Sequence, residues 1–213
     1  NGHLSDYLAL GEALSGTFNL VGLSFPALLS NALNSRITIQ KIARQAAAVI
    51  AKQQRDGTID LVGYSASGVL AFETARILHA DGHEVHSLTL IDAQVRFKYR
   101  PQPERFKYAV RRLRNLSRKL RRKQSVKDYE PFVTLHLRAQ LASWHPKPLS
   151  VRYPLLFVAA DGILTQEHVD VWRTALGAHL DVVSFEGVHE SLNQPDIAQQ
   201  IALALFSRVA TDC

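Results

Sequence analysis

The chain has 213 residues, 46% of them hydrophobic and 21% charged, enough to bury one sizeable core but not three. Its 25 Lys and Arg against 19 Asp and Glu give a net charge of +6, a balance that admits a polyanionic partner such as nucleic acid or an anionic membrane. The single cysteine, Cys213, excludes an internal disulfide framework and a zinc site built on paired cysteines, and it points to a reducing, cytoplasmic setting.

No run approaches the roughly 18 apolar residues of a membrane span, and the start has no secretory signal pattern. There is no methionine, so the chain is expected to be part of a longer one and incomplete at its N-terminus. Leu20 to Ser24, with Phe18 before them, read as a short strand. Ser35-Arg-Ile-Thr38 opens a helix with apolar residues at Ile42, Ala46, Val49 and Ile50, stopped by Asp56-Gly57. Ile59 to Gly63 is a compact strand with few polar side chains, as expected where both faces are covered. Helical spacing resumes after Ser65 through Val69, Phe72, Ala75, Arg76 and Leu78, and ends at Gly82. A strand follows from Val85 to Ile91. Between Ala93 and about Pro148 the alternation breaks down into a basic segment rich in aromatics and proline. It returns as a strand over Pro154 to Ala159, a helix over about Gln166 to Leu176, a strand over Leu180 to Phe185 and a helix over Ile197 to Val209. Strands alternating with helices predict a mostly parallel sheet flanked by helices, with the irregular stretch inserted as a lid.

The sharpest local signal is Gly63-Tyr64-Ser65-Ala66-Ser67-Gly68, between an apolar strand and a helix. It has the form of a nucleophile elbow, in which a strained turn lifts the central serine hydroxyl clear of the sheet. Gly63 is small where the turn is tight, and Ser67 stands where a second glycine is usual. The backbone N–H of Ala66, at the positive end of the helix, is aimed at any oxyanion formed on Ser65.

A serine hydroxyl needs a base to activate it, and the base needs an acid to orient it. Of nine histidines, His189 has the matching place, in the loop Glu186 to His189 after the last strand. His145, His168 and His179 have nothing aiming them at Ser65. Asp92, after the strand Val85 to Ile91, and Asp161, after the strand ending at Ala159, both lie at strand ends on the elbow's edge of a parallel sheet. Chemistry alone leaves that choice open. His79, Asp81, His83, Glu84 and His86 have a metal-like density, but Gly82 breaks the helical spacing, so they read as a helix cap and polar turn. No metal is expected. Trp144, Trp172, Phe97, Tyr99, Phe106 and Tyr108 suit packing better than an acyl pocket.

Residues 96 to 127 hold fourteen Lys or Arg and one acid, Glu104. Phe106, Ala109, Leu113, Leu116 and Leu120 fall at helical spacing among Arg111, Arg112, Arg114, Arg118, Lys119, Arg121 and Arg122, a cationic amphipathic helix. It reads as a lid helix, a docking surface for an acidic partner, or a membrane or nucleic-acid patch. This segment carries +13 and the remainder of the chain −7, so the positive charge belongs to one insertion and the body is acidic.

The runs Gly63 to Leu78, Leu90-Ile-Asp92 and Gly187-Val-His189-Glu-Ser-Leu192, with Thr38 to Ala43 upstream and Leu156 to Ala159 and Trp172 downstream, resemble the thioesterase domains that end non-ribosomal peptide and polyketide synthases. The resemblance implies an α/β-hydrolase fold over 1–213, with 96–150 as an inserted basic lid. It implies a triad of Ser65, His189 and Asp92, because that family carries its acid 27 residues past the serine, as Asp92 is here. Asp161 remains the alternative acid, matching ordinary α/β-hydrolases and stand-alone editing thioesterases. The second oxyanion donor would lie at or before Gly2, and none is assigned.

The expected activity is release of a peptidyl or polyketide chain from the phosphopantetheine of a carrier-protein domain, by hydrolysis or macrocyclisation. The domain itself would bind no cofactor. Arg111, Arg112, Arg114 and Arg118 would dock an acidic carrier, and neither nucleic acid nor membrane is expected as a partner. The competing expectations are an editing thioesterase or small-ester hydrolase on the same fold, and a non-catalytic docking or nucleic-acid-binding module.

Overall fold

The computed structural model describes residues 4–24, 38–54, 57–95 and 140–209. Most of the expected lid, residues 96–139, lies outside the described residues. Among those described, strands β1 (Ile59–Tyr64), β2 (Val85–Ile91), β3 (Tyr153–Ala159) and β4 (Asp181–Phe185) form one parallel sheet in sequence order. Helices α1 (Leu8–Leu14), α2 (Ile39–Gln53), α3 (Ala66–Ala80), α4 (Gln166–Leu176) and α5 (Pro195–Val209) cover it on both faces.

The two-residue period of a strand sends alternate side chains into two cores. Leu88 and Leu90 of β2 and Leu156 of β3 pack with Ile42 of α2, Phe72 of α3 and Trp172 of α4. Ile91 of β2 with Leu155 and Phe157 of β3 pack instead with Leu10 of α1 and Ile201 of α5. All seven residues of β2 are buried, as a central strand requires. β1 behaves differently: Ile59 and Gly63 are buried, but Asp60 and Val62 are exposed, because it pairs on one side only among the described residues.

Thr38 caps α2, its side chain accepting from the Lys41 N–H at 3.1 Å, which satisfies one of the donors orphaned at a helix start. The inward stripe is Ile39, Ile42, Ala43, Ala46 and Ala47, while Val49, read from the sequence as part of that stripe, is exposed. Ala43, Ala46 and Ala47 let α2 lie close against α3.

Two expectations are corrected. Leu20 to Ser24 form no strand; Leu20 and Val21 are exposed, and Phe18 stacks on Phe206 of α5 at 5.6 Å. A β-prone run becomes a strand only where a sheet edge receives it, and here the aromatic contact to a helix holds the segment instead. His189, expected within a loop over Glu186 to His189, opens a 3-10 turn, His189–Asn193. Residues 140–150, the end of the expected lid, pack on the body: Leu141, Trp144 and Leu149 are buried in the α2–α3–α4 core.

Candidate active site

The turn from β1 into α3 holds Ser65 at φ 55°, ψ −127°, a left-handed backbone that a non-glycine residue adopts at a cost of about 1–3 kcal/mol. The Ser65 N–H donates to the Ile91 carbonyl at 2.9 Å, tying the elbow to the end of β2. The turn closes because position 63 has no side chain: a Cβ there would fall 2.6 Å from the Ser67 carbonyl oxygen and 2.7 Å from the Gly68 Cα. Ala66 opens α3, so its N–H has no acceptor within the helix and points with the helix dipole toward the serine.

Asp92 follows β2, also with positive φ (43°), and its N–H donates to the Phe157 carbonyl of β3 at 2.8 Å. Its carboxylate is fully buried. His189 follows β4 after Gly187, whose φ of 121° suits a glycine at this reversal. The three side chains meet at the C-terminal ends of β1, β2 and β4. His189 Nδ1 is hydrogen-bonded to Asp92 Oδ2, and His189 Nε2 lies 3.0 Å from Ser65 Oγ. A carboxylate accepts only, so Nδ1 carries the proton and Nε2 presents its lone pair to the serine hydroxyl. Asp92 Oδ1 is buried beside Gly162, where a Cβ would stand 3.1 Å from it.

Asp161 is exposed, and its backbone N–H donates to the Gly187 carbonyl at 3.0 Å; His189 Nδ1 donates to Asp92 instead. Four further histidines have structural partners: His168 completes the cap of α4 with Thr165, His179 bonds the Val151 carbonyl, His145 bonds the Ser143 carbonyl, and His86 pairs with Asp60. No group of three metal-ligating side chains occurs among the described residues. Trp144 and Trp172 are core residues packed on Phe72; Trp144 donates to Glu73 at 2.9 Å and Trp172 to the Ala93 carbonyl at 2.7 Å. Gly2 and the arginines 111, 112, 114 and 118 lie outside the described residues.

Two tyrosines at the site were not singled out by sequence. The Tyr64 ring stacks on the His189 imidazole at 4.9 Å and 28°, and its hydroxyl donates to the His189 carbonyl at 2.5 Å. Tyr7, before α1, sits edge-on to Tyr64, and its oxygen accepts the Tyr64 N–H at 2.8 Å. Burial raises both phenol pKa values above the ordinary 10; at Tyr64 the charges of Glu190, Asp92 and Asp6 add to it. Tyr64 lies inside the motif, but Tyr7 is 57 positions away, a contact that no local pattern announces.

The sequence matches the family model described as "Thioesterase domain" over residues 1–208. The chain belongs to the thioesterase domain family. Bacitracin synthase 3 of Bacillus licheniformis is 26% identical over 171 residues, covering 75% of this chain and 3% of that protein. Norsolorinic acid synthase of Emericella nidulans is 35% identical over 94 residues, 44% of this chain and 4% of that protein. This thioesterase domain therefore spans only a few per cent of the length of those curated relatives. Among solved structures it is similar to the NocB thioesterase domain in covalent complex with a fluorophosphonate nocardicin G analog, with TM-score 0.70 and 24% identity over 97% of this chain and 89% of that one. The RedJ thioesterase of the prodiginine pathway in Streptomyces coelicolor gives TM-score 0.67 and 22% identity, over 97% and 86%. At such identities the likeness is one of fold, and that fold is the α/β-hydrolase fold. Among the described residues no helix of the thioesterase domain is long and apolar enough to cross a membrane.

Proposed function

We propose that this thioesterase domain releases a peptidyl or polyketide chain from a carrier-protein phosphopantetheine thioester through an ester on Ser65. The observation that carries this reading is the chain of contacts from Asp92 through His189 to Ser65 at the mouth of a strained elbow. His189 Nε2 takes the Ser65 proton as Oγ attacks the thioester carbonyl, and Asp92 holds the imidazole in its tautomer and stabilises its charged form. The Ala66 N–H stabilises the oxyanion, a donor of a kind worth about 3 kcal/mol. Collapse breaks the C–S bond, and His189 returns the proton to the departing thiolate. Water, or an amine or hydroxyl of the chain itself, then gives its proton to His189 as it attacks the ester; the acyl C–Oγ bond breaks and His189 hands that proton to Ser65 Oγ, leaving a free acid or a macrocycle as product.

The reading includes one domain over 1–213 with a basic lid inserted at 96–150, a cytoplasmic setting, and an acidic carrier domain docked on Arg111, Arg112, Arg114 and Arg118. The charge split of +13 against −7 supports the docking. A fluorophosphonate should label Ser65 stoichiometrically, and mass analysis should find free acid or macrocycle released from an acyl-loaded carrier. Labelling no greater than that of Ser65→Ala would overturn the catalytic reading.

A further inference from the structure

We infer that Tyr64 is a positioning residue for His189, fixing the imidazole between Ser65 and Asp92 by gripping both the ring and the backbone of that residue. This rests on the reading that Ser65 and His189 carry out the acyl transfer.

His189 sits on a short turn after β4, reached through Gly187, so the strand alone does not dictate its orientation. Its Asp92 bond fixes Nδ1, but a ring held at one atom can still pivot about that bond and swing Nε2 away from Ser65 Oγ. Tyr64 removes this freedom in two ways. Its ring lies over the imidazole at 4.9 Å and 28°, blocking tilt toward that side, and offset stacked rings attract each other. Its hydroxyl donates to the His189 carbonyl, so the main chain that bears the imidazole is tied to the residue preceding the nucleophile.

Nucleophile and base, 124 residues apart in sequence, are thereby referenced to one rigid turn. Tyr64 is itself held: its N–H donates to Tyr7, whose ring meets it edge-on at 6.4 Å and 89°. Burial favours the neutral phenol at Tyr64, which keeps the hydroxyl a donor.

The test uses the whole chain, with Tyr64→Phe, Tyr64→Leu and Ser65→Ala beside the unaltered protein, and reads three quantities. These are the rate of fluorophosphonate labelling per folded molecule, kcat and KM on an acyl thioester, and the low-field proton resonance of His189 Nδ1–H. Tyr64→Phe keeps the ring and loses the hydroxyl bond, so labelling and kcat should fall about tenfold with KM unchanged. Tyr64→Leu should lose about a hundredfold, the scale of a misplaced catalytic group, and the low-field resonance should broaden. If Tyr64→Leu does not fold, Tyr64→Phe decides alone. Labelling, kcat and resonance of folded Tyr64→Phe equal to those of the unaltered protein would overturn the inference while leaving the catalytic reading intact. If the unaltered protein labels no more than Ser65→Ala, the catalytic reading fails and takes this inference with it.

Discussion

Gly68, in the first turn of α3, lies directly against Ala93, the residue after Asp92: a Cβ on Gly68 would fall 2.4 Å from the Ala93 methyl carbon. This contact sets how closely the helix bearing Ser65 approaches the strand end bearing the acid. Gly68→Ala should overpack the junction, costing about 1–3 kcal/mol of stability and lowering kcat as Ser65 and Asp92 are driven apart. Adding Ala93→Gly should restore both. Urea denaturation and thioester turnover of the single and double variants check this; a double variant no better than Gly68→Ala would refute it.

Asp92→Asn should lower kcat by about 10⁴, the loss seen when the acid of a serine–histidine–aspartate triad is neutralised and the imidazole takes the wrong tautomer. Asp161→Asn, at an exposed carboxylate, should stay within about twofold of the unaltered protein. Thioester assays of the two variants side by side decide between the acids. A collapse confined to Asp161→Asn would move the acid to that position.

Glu73 is buried on α3, accepting from Trp144 Nε1 on one oxygen and from Arg76 on the other at 3.0 Å. Glu73→Ala leaves the indole N–H buried without an acceptor and should cost about 1–3 kcal/mol, while Glu73→Gln, which keeps an acceptor oxygen, should cost less. Urea midpoints followed by tryptophan fluorescence would separate the two.

Tyr7 and Tyr64 predict an alkaline limit to stability. Their folded pKa values lie above the ordinary 10, so the folded state holds these protons more tightly than the unfolded state. Their contribution is present in full below about pH 10 and is lost as pH rises further through the folded values. Denaturation midpoints should hold to about pH 9 and decline above about pH 10, with a shallower decline in Tyr7→Phe. An unchanged slope in Tyr7→Phe would count against this origin.

Charge reversal at Arg111, Arg112 and Arg114 should raise KM for a carrier-bound acyl substrate while leaving turnover of a small free thioester as it was, with the difference shrinking at high salt. Equal effects on the two substrates would refute carrier docking by this segment.

Most of the sheet was legible in the sequence because its strands are short apolar runs bounded by turns; β2 was read at its observed bounds, and β1, β3 and β4 within one residue. The elbow was legible for the same reason, since strand, small residue, serine and helix are consecutive. The helix α1 went unread: it has seven residues, no side-chain cap, and Gly11 within it, so packing, chiefly against α5, stabilises it. Asp92 and Asp161 stayed equivalent at the level of residue chemistry because both follow parallel strands, and the burial that distinguishes them is tertiary. Tyr7 and Tyr64 escaped notice as site residues because their roles depend on contacts 57 and 125 positions away.

Val95, three residues past Asp92, is fully buried, and Leu141 is buried in the same core cluster. Residues 96–139 are therefore spliced between two anchored points, downstream of the acid and upstream of β3. Among the described residues, hydrogen bonds tie together the strand ends that carry Ser65, Asp92 and His189. The chain entering that segment and the chain leaving it are thus held in one core, so a substitution at Val95 or Leu141 would act on the strand that leads to Asp92 as well as on the attachment of the segment.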